Sequence, residues 1–267
     1  MLDIRKRDIR KKADQIRRNM RISNYGIMCE SVGWKVIRYP LGENADLGFA
    51  MKKDKDIIIF TNSSSRLSRE IFTLAHEIGH AVLHMDKMNS FIDNGLTLSD
   101  HNTDEREQEA NYFAACLLMP EEAVEKFMDI ELLEEKQQGL TAIDIAKIMS
   151  EFNVSFEMVL NRLESIGKID SVEKAQLDNQ KNEIRVRNLL KSAGGNATLN
   201  EPSNVLDIPY EYIEYVIYNY NHGAIPKETL VKALDCYKLT IDDVSDKINE
   251  PVEDDTDLDD LIGGLSD

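Results

Sequence analysis

The segment His76-Glu77-Ile78-Gly79-His80 constrains this chain more than any other. It lies in a proline-free stretch, 66–84, that repeats with helical period. At about 100° per residue the two imidazoles fall on one side of a helix, about 40° apart and one turn from each other. With His76 at 0°, the residues Ile71, Leu74, Ala75, Ile78 and Val82 cluster at about 160° to 260°. One face of the helix must therefore be buried, and the histidine face is left for another task. Paired imidazoles at this spacing suit zinc, with Glu77 beside the metal but not on it. The alternative is two surface histidines. Gly79 argues against that, because a glycine inside a helix costs about 1 kcal/mol relative to alanine unless something must approach closely there.

A catalytic zinc takes three protein ligands and keeps a fourth position for water, so a third donor is expected from later in the chain. The next helix, 104–118, carries an apolar stripe of Ala110, Phe113, Ala114 and Leu117. With Ala110 at 0°, Glu107 falls at about +60° within the stripe, Glu109 at about −100° on its margin, and Glu105 at about −140°. Glu107 is thus the carboxylate that faces inward. An inward carboxylate needs compensation, which a metal would supply; a salt bridge to Arg69 or Arg106 is the alternative. His84 continues the histidine series but has drifted to about 80°, which suits a supporting role. His101 lies in a loop, and His222 has no companions.

Upstream of the motif helix, Trp34 to Tyr39, Leu47 to Met51 and Asp56 to Phe60 read as three strands of one small sheet. The run Asp56 to Phe60 is expected at its edge, where an extended substrate could pair with it. The polar run Asn62-Ser63-Ser64-Ser65 offers N-cap chemistry to the motif helix. Ile9, Ala13, Ile16 and Met20 mark an amphipathic helix in a strongly basic opening stretch, whose charges read as a solvated face rather than a membrane or DNA contact. Beyond a polar loop at 86–103 the chain reads as helices, including a pair at 145–163 joined behind a Ser155 cap. Two more amphipathic stretches follow between Pro209 and Ile248, and an Asp-rich tail ends the sequence. The expected divisions are a catalytic part with its first helix at 1–130, a helical subdomain at 131–170, a helical domain at 171–250 and an acidic flexible tail at 251–267.

Composition narrows the function classes. The 267 residues carry a formal net charge of −17, which leaves no whole-molecule basic footprint for nucleic acid. The helix pair at 145–163 superficially has helix-turn-helix spacing. Asp144, Glu151, Glu157 and Glu164, however, stand where phosphate contacts would be wanted, so direct nucleic-acid binding is not expected. No apolar run reaches the roughly 18 residues of a membrane span, and the first residues lack a secretory hydrophobic block. Cys29, Cys116 and Cys236 fall at unrelated spacings, which points to a reducing compartment. A cytoplasmic location is the expectation.

The run Phe72 to His84, followed by Glu107-Gln108-Glu109-Ala110-Asn111-Tyr112-Phe113 and on to Pro120, resembles the ImmA/IrrE family of zinc metallopeptidases in both blocks and in their order. The resemblance covers 32–120 well and the helices at 141–167 more loosely. It implies an α+β fold: a small zincin-like catalytic domain, with a short sheet, an active-site helix and a glutamate helix, followed by an all-helical C-terminal region. It also implies one zinc per chain, held by His76, His80 and Glu107, with Glu77 as general base. The substrate it implies is a helix-turn-helix repressor, often of a mobile element or phage, cut at a defined site to release transcription. His84, His101, Asn111 and Tyr112 are the candidates for supporting the ligands or the oxyanion. The rival reading is a non-hydrolytic module with the same zinc site that inactivates a repressor by occupancy alone.

Overall fold

The computed structural model describes residues 1–19, 34–45, 47–53, 56–85, 105–132 and 139–249. His101, the loop at 86–103, Cys29 and the acidic tail lie outside the described residues. Among the described residues no helix is long and apolar enough to cross a membrane.

Helix α1 (Asp3–Asn19) precedes three strands, β1 (Lys35–Tyr39), β2 (Gly48–Lys53) and β3 (Asp56–Asn62). They form a 3-stranded sheet in the order β1-β3-β2, with β1 parallel and β2 antiparallel to β3. The register places Val36, Ala50 and Ile59 together on one face. Ala50 and Ile59 are fully buried there, while Phe49 stacks on Phe60 on the other face at 5.1 Å between ring centroids. This corrects one expectation. The run Asp56 to Phe60 is the central strand and its backbone is paired on both sides, so it cannot receive a substrate strand. The two-residue-period pattern of a short strand does not reveal which side its neighbours take.

The motif helix α2 (Leu67–Leu83) lies against the sheet, and the glutamate helix α3 (Glu105–Leu118) packs along it. The expected serine cap of α2 is absent: Arg66 stands at the N-cap position and makes no capping hydrogen bond through its side chain. Asn62 instead closes its own turn, accepting from Ser64 N at 3.0 Å and Leu41 N at 3.1 Å. The first amide of α2, Leu67 N, donates to the carbonyl of Glu201 at 2.8 Å. A distant segment supplies what the local polar run does not.

Helices α4 (Glu121–Glu131), α5 (Ala142–Phe152), α6 (Phe156–Ser165), α7 (Ser171–Glu183) and α8 (Val186–Ser192) complete the layer. Thr141 and Asp144 form a capping box on α5, and Ser155 Oγ accepts from Met158 N at 3.2 Å, so these ends follow the local sequence. Ile145, Ile148, Val159, Leu160 and Leu163 are buried in the same core as Ile78, Phe113 and Leu117, as helices that pack on the catalytic part should be.

The chain divides at 208/209 rather than at 130 and 170. The helices up to 192 share one continuous core with the catalytic part, which leaves no boundary at either expected place. The second unit holds α9 (Glu211–Asn221), α10 (Lys227–Asp235) and a 3-10 turn, Asp242–Lys247, around Ile213, Ile217, Leu230, Leu234 and Val244.

Candidate metal centre

On α2 the imidazoles of His76 and His80 stand one turn apart, and both are about as buried as the core, at 2% and 4% exposure. They are not surface histidines. Their Nε2 atoms face each other at 2.9 Å. Glu107 reaches in from α3, with Oε2 3.2 Å from His76 Nε2 and Oε1 3.2 Å from His80 Nε2. The three residues form a fully buried group able to share one ion.

The donor set fits zinc. Four ligands at about 2.0–2.1 Å around a tetrahedral ion stand roughly 3.3 Å from one another, close to the edges of this triangle. The tautomer fits too. His76 Nδ1 lies 2.9 Å from Asn111 Oδ1, and a carboxamide oxygen can only accept. Nδ1 therefore carries the proton and donates, which leaves a lone pair on Nε2, the atom that points at Glu107 and His80.

What brings α3 this close is Gly79. A Cβ built there would lie 3.2 Å from Ala110 Cα, 3.2 Å from the Ala110 carbonyl oxygen and 3.2 Å from Phe113 Cδ1. The close approach anticipated from a mid-helix glycine is the backbone of the glutamate helix. A second glycine, unremarked in the sequence, does the same on the other side. A Cβ at Gly48 of β2 would stand 2.5 Å from Thr73 Cγ2, 2.7 Å from the Phe60 carbonyl oxygen and 3.7 Å from Glu77 Cγ. The edge strand thus runs directly over Glu77, itself 4% exposed and one residue from the first ligand.

The remaining candidates separate. Asn111 braces His76. His84 lies behind His80, ring centroids 5.5 Å apart, with Nε2 3.9 Å from Glu109 Oε2. Burial, helped by neighbouring His80, holds its imidazole below the ordinary value. Tyr112 is turned to α1, where its hydroxyl accepts from Arg10 Nη2 at 3.4 Å. Glu109, on the margin of the helical wheel, is 5% exposed and receives two hydrogen bonds from Arg5, 104 residues away. They hold its carboxyl below the usual range. No local pattern could announce that pair.

Two helix histidines, an inward carboxylate from the next helix and a glutamate set between the histidines define a zincin-like metallopeptidase centre. The model of the IrrE N-terminal-like domain matches residues 29–164, half of the chain, and the chain belongs to that family. It is a zinc-type metalloendopeptidase of the ImmA/IrrE kind. No curated protein matches it.

Proposed function

We propose that this enzyme is a cytoplasmic endopeptidase of narrow specificity that holds one zinc ion per chain and cuts a helix-turn-helix repressor, of a phage or other mobile element, to release transcription. The observation that carries the catalytic half is the buried His76, His80 and Glu107 triangle beside Glu77. The substrate half rests on family membership. A net charge of −17 supports it, since such a chain repels nucleic acid and attracts the basic surface of a DNA-binding protein.

His76, His80 and Glu107 would hold the ion. When bound there, zinc supplies Lewis acidity, which brings the proton of water within reach of a carboxylate at neutral pH and polarises the scissile carbonyl. Glu77 takes the proton from the attacking water and returns it to the leaving amine. Asn111 keeps His76 in the ligating tautomer throughout. Among the described residues β2 pairs only with β3, so its outer edge offers backbone groups to an extended substrate segment. Gly48 lets that edge pass close over the base.

Glu77→Gln is the deciding variant. Co-expressed with candidate repressors, it should retain zinc and yield no fragment, where the wild type yields one discrete product. An occupancy mechanism would keep inactivating the repressor in the variant, and that outcome would sink the proteolytic reading. Met51→Pro and Lys52→Pro test the edge. Backbone groups alternate in direction along a strand, so one of the two removes an outward amide. That one should abolish cleavage with zinc retained.

A further inference from the structure

The ligands come from two helices, so the site exists only while α3 keeps its rotation and distance relative to α2. On the α2 side, contact at Gly79 sets the distance. On another side of α3 lies α1, which falls outside the matched span 29–164. Ile9 and Ala13 are fully buried, and arginines along α1 grip α3 over its length. Arg5 donates from Nε to Glu109 Oε1 at 2.6 Å and from Nη2 to Oε2 at 2.5 Å. Arg10 donates to the Tyr112 hydroxyl and pairs with Glu121 at 3.0 Å, and Arg17 Nη1 donates to the Cys116 carbonyl at 3.3 Å.

We propose that α1 is a splint for the metal site and that Arg5 is a positioning residue, which seats Glu109 so that Glu107 and Asn111 stay in register with His76 and His80. The inference rests on the metallopeptidase reading of the site. Glu109 sits two residues from Glu107 and is almost wholly buried, with two-pronged support from Arg5. A buried carboxylate that loses its cation is driven towards water, and the simplest path is a turn of α3 about its axis. A helix is stiff, so Glu107 and Asn111 turn with it. A rotation of about 20° displaces a carboxylate held roughly 6 Å from the axis by roughly 2 Å, far beyond the ±0.2 Å that zinc ligation tolerates. His84 cannot take over the role of Arg5: its Nε2 stays 3.9 Å from Glu109 and has no hydrogen-bond partner among the described residues.

The test is zinc affinity of the full chain, measured by competition with a chromophoric chelator, with helix content followed by circular dichroism. Arg5→Met should keep its helix content and bind zinc about 10- to 100-fold more weakly, the usual consequence of losing support behind a metal ligand. Adding Glu109→Gln removes the stranded charge, so the double variant should recover to within about threefold of wild type. Wild-type affinity in a folded Arg5→Met, or a double variant as weak as the single one, overturns the proposal. If Arg5→Met does not fold, Arg5→Lys decides, since it keeps the charge but cannot make the two-pronged contact. A loss of about 3- to 10-fold supports the splint, and unchanged affinity overturns it. A wild-type chain that takes up no zinc in the same titration is a distinct result, which removes the metallopeptidase reading itself.

Discussion

At the scale of single residues the site is governed by who touches whom behind the ligands. Asn111→Ala removes the acceptor on His76 Nδ1 and frees the ring to turn or change tautomer. Zinc affinity should fall about 10- to 100-fold, while Asn111→Asp, which keeps an acceptor oxygen, should lose much less. Chelator competition on the two variants separates the outcomes, and equal losses would show that the hydrogen bond does not matter. Gly79→Ala sets two effects against each other. Alanine gains about 1 kcal/mol of helix propensity, but its methyl group meets the Ala110 backbone and Phe113 at 3.2 Å, and backbone cannot step aside cheaply. Overpacking of about 2–3 kcal/mol wins, so the variant should melt earlier and bind zinc more weakly. These residues show what a sequence makes legible. His76, Glu77 and His80 are set by local helix geometry, and Glu107 betrays itself as an acid within an apolar stripe. Asn111, already a candidate for supporting the ligands, lies only about 40° from Glu107 on the same wheel and is legible by the same geometry. Glu109 was not, because its partner Arg5 comes from the far end of the domain.

At the scale of elements, positions along a strand or helix were readable and partners across the fold were not. The three strands and the α5 and α6 caps follow from alternation and from Thr141, Asp144 and Ser155, all local signals. The central place of β3 and the cap of α2 depend on chain returning from elsewhere. The segment 201–208 runs along the free edge of β1, where Arg38 and Asp207 exchange backbone hydrogen bonds at 2.8 and 2.9 Å. Beneath it Glu70, 3% exposed, accepts from Arg38 Nε and Nη2 at 2.8 and 2.9 Å, from Ser203 Oγ at 2.9 Å and from Thr61 Oγ1 at 3.2 Å. This cluster locks the segment to the start of the motif helix. Arg38→Met strands a buried carboxylate and should cost about 3 kcal/mol, at the low end for broken buried pairs because Arg38 is itself partly exposed. Ser203→Ala leaves the ion pair intact and should cost about 1 kcal/mol. Urea denaturation of the unit 1–208 transition measures both. Equal losses would mean that the ion pair adds nothing beyond an ordinary hydrogen bond.

At the scale of the whole molecule, two cores of very different size should answer differently to stress. The unit 1–208 buries an extensive core, whereas the second is organised around Ile213, Val216, Ile217, Leu230, Leu234 and Val244. Among the described residues so few buried side chains barely offset the ordering of the surrounding backbone, so small terms decide whether this unit is folded. One such term is Tyr237, whose hydroxyl donates to the Pro209 carbonyl at 2.8 Å and so ties the chain after α10 to the segment entering α9. Burial, with neighbouring Tyr212 acting in the same direction, pushes its hydroxyl from the usual 10 up to about 12. The folded state therefore favours the protonated phenol. Its contribution to stability is complete below pH 10, declines as pH rises above that, and is lost as pH passes through about 12. Tyr237→Phe cannot ionise and also lacks the hydrogen bond. The variant should be about 1 kcal/mol less stable than wild type at pH 7, and that gap should close between about pH 10 and 12. Urea midpoints of the small unit, followed across that range in both proteins, give the comparison. If the gap stayed constant to pH 12, the phenol would titrate alike in the folded and unfolded chain, and the alkaline sensitivity of this unit would have to come from another group.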